Sequence, residues 1–164
     1  MLIDQPIVDI EIAFESLADA AKATEKVHKT GNKLLIVVYY SGHGVIYANR
    51  THGQAGSFDI GDYIPIEQNT KKMGRRANTF VLTLFDGCRE ISATKGEAHD
   101  SSDLKSVHGH YWLMFATKEG GLAISNPPLS DFTKKVTEHF NRIGHDVSFP
   151  DHLIMFPYVH GENT

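Results

Sequence analysis

Residues 33–44 read KLLIVVYYSGHG. Leu34 to Tyr40 form an unbroken apolar or aromatic run with β-branched Ile36, Val37 and Val38 at its centre. Such a run predicts a strand buried on both faces, which is the habit of a parallel sheet. Two more stretches have the same character. Residues 79–87, TFVLTLFDG, and residues 110–117, HYWLMFAT, read as buried strands. Between and around them lie helical patterns. Residues 7–29 place Phe14, Leu17, Ala21 and Val27 near one helix face and Glu15, Asp19, Lys22 and Glu25 elsewhere, although the β-branched start is compatible with extended chain. Gly31 is the expected left-handed stop. Residues 66–77 predict a short basic helix. In 130–143, SDFTKKVTEHFNRI, Ser130 suits an N-cap, Phe132, Val136, Phe140 and Ile143 make the apolar stripe, and Gly144 ends it.

The remaining segments connect these elements. Residues 45–62 are glycine-rich and read as loop or a small hairpin, and residues 89–109 as a long surface loop. HLIMFPY, residues 152–158, predicts a last strand that Pro157 confines to an edge. Buried strands alternating with helices predict an α/β fold with a mainly parallel central sheet.

Composition narrows the function. The chain has 164 residues, enough for a single domain with a real core, and 41% hydrophobic and 22% charged residues, as in ordinary globular proteins. A net charge of −4 provides no basic footprint for nucleic acid. The longest apolar run is far shorter than the roughly 20 residues a spanning helix needs, so no membrane association is expected. The N-terminal residues carry acids where a signal peptide would be basic. One cysteine rules out an internal disulfide and a CxxC zinc site, and fits a reducing, cytoplasmic setting.

Two strand ends are chemically loaded. In open parallel sheets, active sites gather beyond the carboxyl ends of the strands. The first strand ends Gly42-His43-Gly44, and the second ends Asp86-Gly87-Cys88-Arg89. If these strands are parallel neighbours, an imidazole and the only thiol leave the sheet at one edge. Cys88 then has three readings: a small buried hydrophobe, a redox-sensitive thiol, or a nucleophile. A thiol of pKa about 8.5 is mostly protonated at neutral pH and needs a neighbouring base to attack a carbonyl. The N–H groups of Gly44 and Cys88 are placed to receive an oxyanion. Asp86 reads either as a turn-capping carboxylate paired with Arg89 or as an acid that meets a ligand.

These motifs resemble the caspase-like cysteine peptidases, the group of caspases, metacaspases and paracaspases. In that group a His-Gly ends one strand and the catalytic cysteine ends the next, with the histidine about 50 residues upstream. FDGCRE, with an aspartate two before the cysteine, is similar to metacaspases and paracaspases rather than to the caspase glutamine motif. YWLMFATKEGG and LSDFTKKV look like the family's next strand and helix. The resemblance implies a caspase-like three-layer sandwich and a single domain over residues 1–164, although the family's first strand is not visible before Leu34. It implies a cysteine endopeptidase with His43 as general base, Cys88 as nucleophile, and Gly44 and Cys88 as oxyanion donors. Asp86 would form the floor of an S1 pocket favouring Arg or Lys. The alternative is an inactive caspase-like subunit that keeps the dyad. The partners implied are a protein or peptide substrate and a second copy or another chain at an edge strand near 153–159. Lys95 and Lys105 lie in the loop where relatives are cut during activation.

No cofactor is expected. Several metacaspases require calcium, and Asp59, Asp62, Asp100 and Asp103 are acids of the right type, but no EF-hand-like loop holds them. His108 and His110 have no third ligand beside them. KKMGRR, residues 71–76, reads as a solvated basic surface, and Tyr111, Trp112 and Phe115 read as core.

Overall fold

In a computed structural model, the apolar runs lie side by side in one sheet. The structure describes residues 7–27, 34–55, 62–75, 79–91, 110–123, 129–143 and 159–162. Helix α1 (Ile7–Val27) precedes β1 (Leu34–Gly42), β2 (Gly44–Tyr47), β3 (Arg50–Ala55) and β4 (Asp62–Ile64). Then follow α2 (Ile66–Gly74), β5 (Thr79–Gly87), β6 (Glu90–Ile91), β7 (Tyr111–Phe115), α3 (Asp131–Ile143) and β8 (Val159–Glu162).

The central sheet has the order β1-β5-β7-β8. β1 pairs in parallel with β5, and β5 in parallel with β7, while β8 runs antiparallel to β7. Side chains alternate across the sheet. Ile36, Val81, Phe85, Leu113 and Phe115 point to one face, where they pack with Ile66 and Met73 of α2 and with Phe14 and Ala18 of α1. Leu82, Leu84, Trp112 and Met114 point to the other, where Val136, Phe132 and Phe140 of α3 cover them. Helices thus lie on both faces of a mainly parallel sheet, as in a three-layer α/β fold. Thr70 ties α2 to the sheet: its hydroxyl donates to the Ile66 carbonyl and meets the Thr83 hydroxyl at 2.7 Å.

The expectation that the first strand is buried on both faces is corrected. β5 and β7 are buried almost throughout, but on β1 Leu35, Val37 and Tyr39 are 50, 54 and 50% exposed. Among the described residues β1 is the outermost strand of this sheet, and the apolar stripe of α3 packs over β5 and β7 instead.

The glycine-rich stretch forms more than a loop. β2 and β3 make a two-residue hairpin, with Ala48 and Asn49 both in the left-handed region at φ 49° and 61°, the conformation that matches strand twist in tight hairpins. With β4 and the short β6 they form a second sheet, ordered β4-β3-β2-β6. The expected last strand at 152–158 lies outside the described residues. A strand is found just after Pro157, at Val159–Glu162. Gly31, Gly144, Lys95, Lys105 and His108 also lie outside them.

Candidate functional site

The two loaded strand ends meet through register. Along β1 and β5 every residue is paired with the one 45 positions later, from Leu34 with Thr79 to Gly42 with Gly87. Past those ends the two chains stay together and enter the second sheet. There β2 and β6 pair in parallel with the same offset, Val45 with Glu90 and Ile46 with Ile91. His43 and Cys88 fall in the short break between the sheets and keep that offset. The proximity has a second, independent mark: a Cβ on Gly44 would lie 2.4 Å from the Cys88 carbonyl oxygen and 2.4 Å from Cζ of Phe85. Real Cβ atoms do not come so close, so the residue after His43 must be glycine for the two chains to touch here.

The backbone of His43 is fixed while the residue itself is exposed. Its carbonyl accepts the N–H of Gln54 at 2.8 Å and lies 2.5 Å from the Tyr40 hydroxyl. That hydroxyl also accepts the Gln54 N–H at 2.9 Å and lies 3.0 Å from the Gln54 carbonyl. The Tyr40 ring stacks on Phe85 at a centroid distance of 4.9 Å. Burial pushes the Tyr40 phenol up to about 12, against a smaller opposing pull from the Gln54 backbone bond.

Cys88 is half-buried and reduced. Its sulfur accepts the N–H of Ala123 at 3.4 Å, from the segment after β7. Among the described residues that N–H, and not the imidazole, is the sulfur's hydrogen-bond partner.

Asp86 is buried on the α3 side. Its Oδ2 receives three hydroxyls: Tyr39 at 3.0 Å, Thr133 at 2.7 Å and Ser130. Ser130 is the N-cap expected from sequence, its Oγ accepting the Thr133 N–H at 3.0 Å. The carboxylate thus sits at the N-terminus of α3, where the helix dipole favours an anion. All its donors are neutral, and among the described residues no cation pairs with it.

The pairing of Asp86 with Arg89 does not form. Arg89 turns the other way, its guanidinium 3.8 Å above the Phe115 ring centroid. Nη2 meets Glu119 at 3.3 Å, and Nε donates to Thr51 at 3.2 Å. Burial lowers the Arg89 pKa, and the nearby Glu119 and Glu67 oppose that shift.

Sequence reasoning named His43, Gly44, Asp86 and Cys88, and the strand pairing brings the segments that carry them side by side. It missed Tyr39 and Tyr40, which it read only as strand, and Thr133, Glu119 and Ala123. Strand alternation was the signal for the tyrosines: neighbours in a strand must face opposite sides, so one of the pair had to face the α3 side. Nothing local marks Glu119 or Ala123, because their roles arise from the fold of residues 116–123. The chain matches no protein-family model and no curated protein sequence.

Other candidates are placed as follows. His110 stacks on Phe80 at 4.7 Å. Lys71 pairs with Glu67 at 2.9 Å, while Lys72 and Arg75 are exposed. Asp62 opens β4, and Asp59, Asp100 and Asp103 lie outside the described residues. Among the described residues no three His, Cys, Asp or Glu groups gather as a metal would need, and no helix is long and apolar enough to cross a membrane.

Proposed function

We propose that this chain is a cysteine endopeptidase of the caspase and metacaspase type that cleaves after Arg or Lys. One observation carries the reading: the constant 45-residue offset, which sets His43 opposite Cys88 at the carboxyl ends of two adjacent parallel strands. In the proposed reaction His43 takes the thiol proton and the Cys88 sulfur attacks the peptide carbonyl. The N–H groups of Gly44 and Cys88 receive the developing oxyanion. His43 then protonates the departing amine, leaving a thioester. Water, deprotonated by His43, attacks the thioester, releases the acid and restores the thiol.

The P1 preference rests on Asp86. Its Oδ2 is met by three neutral hydroxyls, and among the described residues no cation pairs with it. A guanidinium or ammonium supplies the missing partner, and a P1 aspartate would meet like charge. By the same resemblance a second copy pairs at the edge strand, for which β8 is the candidate.

A second reading, an inactive caspase-like subunit, is favoured by one feature. Among the described residues the hydrogen bond to the Cys88 sulfur comes from the Ala123 N–H and not from His43. A peptide acyloxymethyl ketone with P1 Arg separates the two. The peptidase is expected to take one label on Cys88, none in Cys88→Ala, and to label at least about 100-fold more slowly in His43→Ala. The P1 Asp probe is expected to leave it unlabelled. Folded protein that takes no label from the P1 Arg probe overturns the peptidase reading.

A further inference from the structure

The residue after the thiol is bonded to the same segment that carries the sulfur's hydrogen-bond donor. The Arg89 N–H donates to the Gly121 carbonyl at 3.0 Å, and its carbonyl accepts the Gly120 N–H at 2.8 Å. Its side chain is almost fully buried and makes three separate contacts. The guanidinium carbon lies 3.8 Å from the ring centroid of Phe115, the last residue of β7, where the 116–123 segment departs. Nη2 reaches Glu119 within that segment, and Nε reaches Thr51 on β3 of the second sheet. The segment turns tightly at Gly121, where a Cβ would fall 2.1 Å from the Thr117 hydroxyl. Two residues later Ala123 presents its N–H to the Cys88 sulfur at 3.4 Å.

We propose that Arg89 is a positioning residue, a latch that clamps residues 116–123 onto the neighbourhood of Cys88 and so sets the reactivity of the sulfur through the Ala123 N–H. Three features support a latch over simple packing. Burial of a guanidinium is unfavourable unless its donors are met, and here Nη2 is met by Glu119, on the segment that carries the sulfur's hydrogen-bond donor, and Nε by Thr51. Two directed bonds to separate partners, made while the guanidinium sits over the Phe115 ring, suit the fork of arginine, which lysine lacks. The ionic partner, Glu119, is 67% exposed on its side chain, so the clamp closes at the surface and can be released without disturbing the core.

The inference rests on Cys88 being the reactive group of the proposed peptidase, but its readout does not need peptidase activity. The rate of Cys88 alkylation by iodoacetamide, a small neutral reagent, is measured across pH 5–10 in wild type, Glu119→Gln and Arg89→Lys, with thermal melting run in parallel. Loss of one exposed partner is expected to change the alkylation rate by about three- to fivefold in Glu119→Gln while melting stays within a few degrees. High salt, which screens the pair, is expected to move wild type toward that variant and leave the variant unchanged. Arg89→Lys is expected to shift the rate further in the same direction. An alkylation rate and pH profile in Glu119→Gln identical to wild type overturn the latch, whether or not Arg89→Lys folds. Altered alkylation together with a dead peptide probe sustains the latch and removes the peptidase reading. Unaltered alkylation with a live probe does the reverse.

Discussion

At the scale of single residues, the tightest constraint on the site is Gly44. It carries no chemistry of its own, yet it lets the His43 chain lie against the Cys88 carbonyl. A methyl group there must push away either backbone or the Phe85 ring, and Phe85 is fully buried and held against Tyr40. Gly44→Ala is therefore expected to lower stability by about 1–3 kcal/mol, the usual cost of overpacking. It is also expected to suppress labelling of Cys88 more than that loss of folded protein explains. Urea denaturation monitored beside probe labelling checks both. Gly-His-Gly was legible in sequence as the end of a strand, and the structure makes it the break between β1 and β2. Its physical reason, contact with one particular carbonyl, was not, because that carbonyl belongs to a strand end 45 residues away.

At the scale of elements, apolar patterning foretold β1, β5 and β7 but not how each one is covered. β1, β5 and β7 all read as continuous apolar runs, and β5 and β7 are buried accordingly. β1 has the same kind of sequence but is the outermost strand among the described residues, so alternate side chains leave the core. Neighbours in the sheet decide this, and a single run does not record them. The same substitution in the two strands should therefore have unlike effects. Val37, 54% exposed, changed to Ala is expected to shift stability by no more than about 0.5 kcal/mol. Val81, fully buried, changed to Ala is expected to cost about 2 kcal/mol or more. Chemical denaturation of the two variants checks the contrast; equal losses would mean that the outer face of β1 is packed after all. Helix α3 was the most legible element, since its cap and stripe are both local. Its second task, offering Ser130 and Thr133 to Asp86, was hidden, because it depends on where the helix docks.

At the scale of the whole molecule, Tyr40 links the two sheets. It belongs to β1, stacks on β5, and its hydroxyl bonds to residues 43 and 54, on either side of the hairpin. Its folded-state pKa of about 12 lies above the ordinary value of 10. The folded state thus holds the phenolic proton more tightly than the unfolded chain does. The stabilisation this provides is complete below pH 10 and is lost as the pH climbs toward 12. Alkaline unfolding is expected to steepen in that window for wild type and to be flatter there for Tyr40→Phe, whose stability at neutral pH is lower by about 1 kcal/mol for the lost hydrogen bonds. Denaturation midpoints collected from pH 8 to 12 test this.

The uninterrupted offset has a mechanical corollary. Two ribbons of chain run abreast through both sheets, and the imidazole and the sulfur sit where the pair passes from one to the other, like two rivets astride a hinge line. The Tyr40 hydroxyl pins that crossing from the β1 side and its ring pins it from β5, so the hairpin and the two strand ends share one frame.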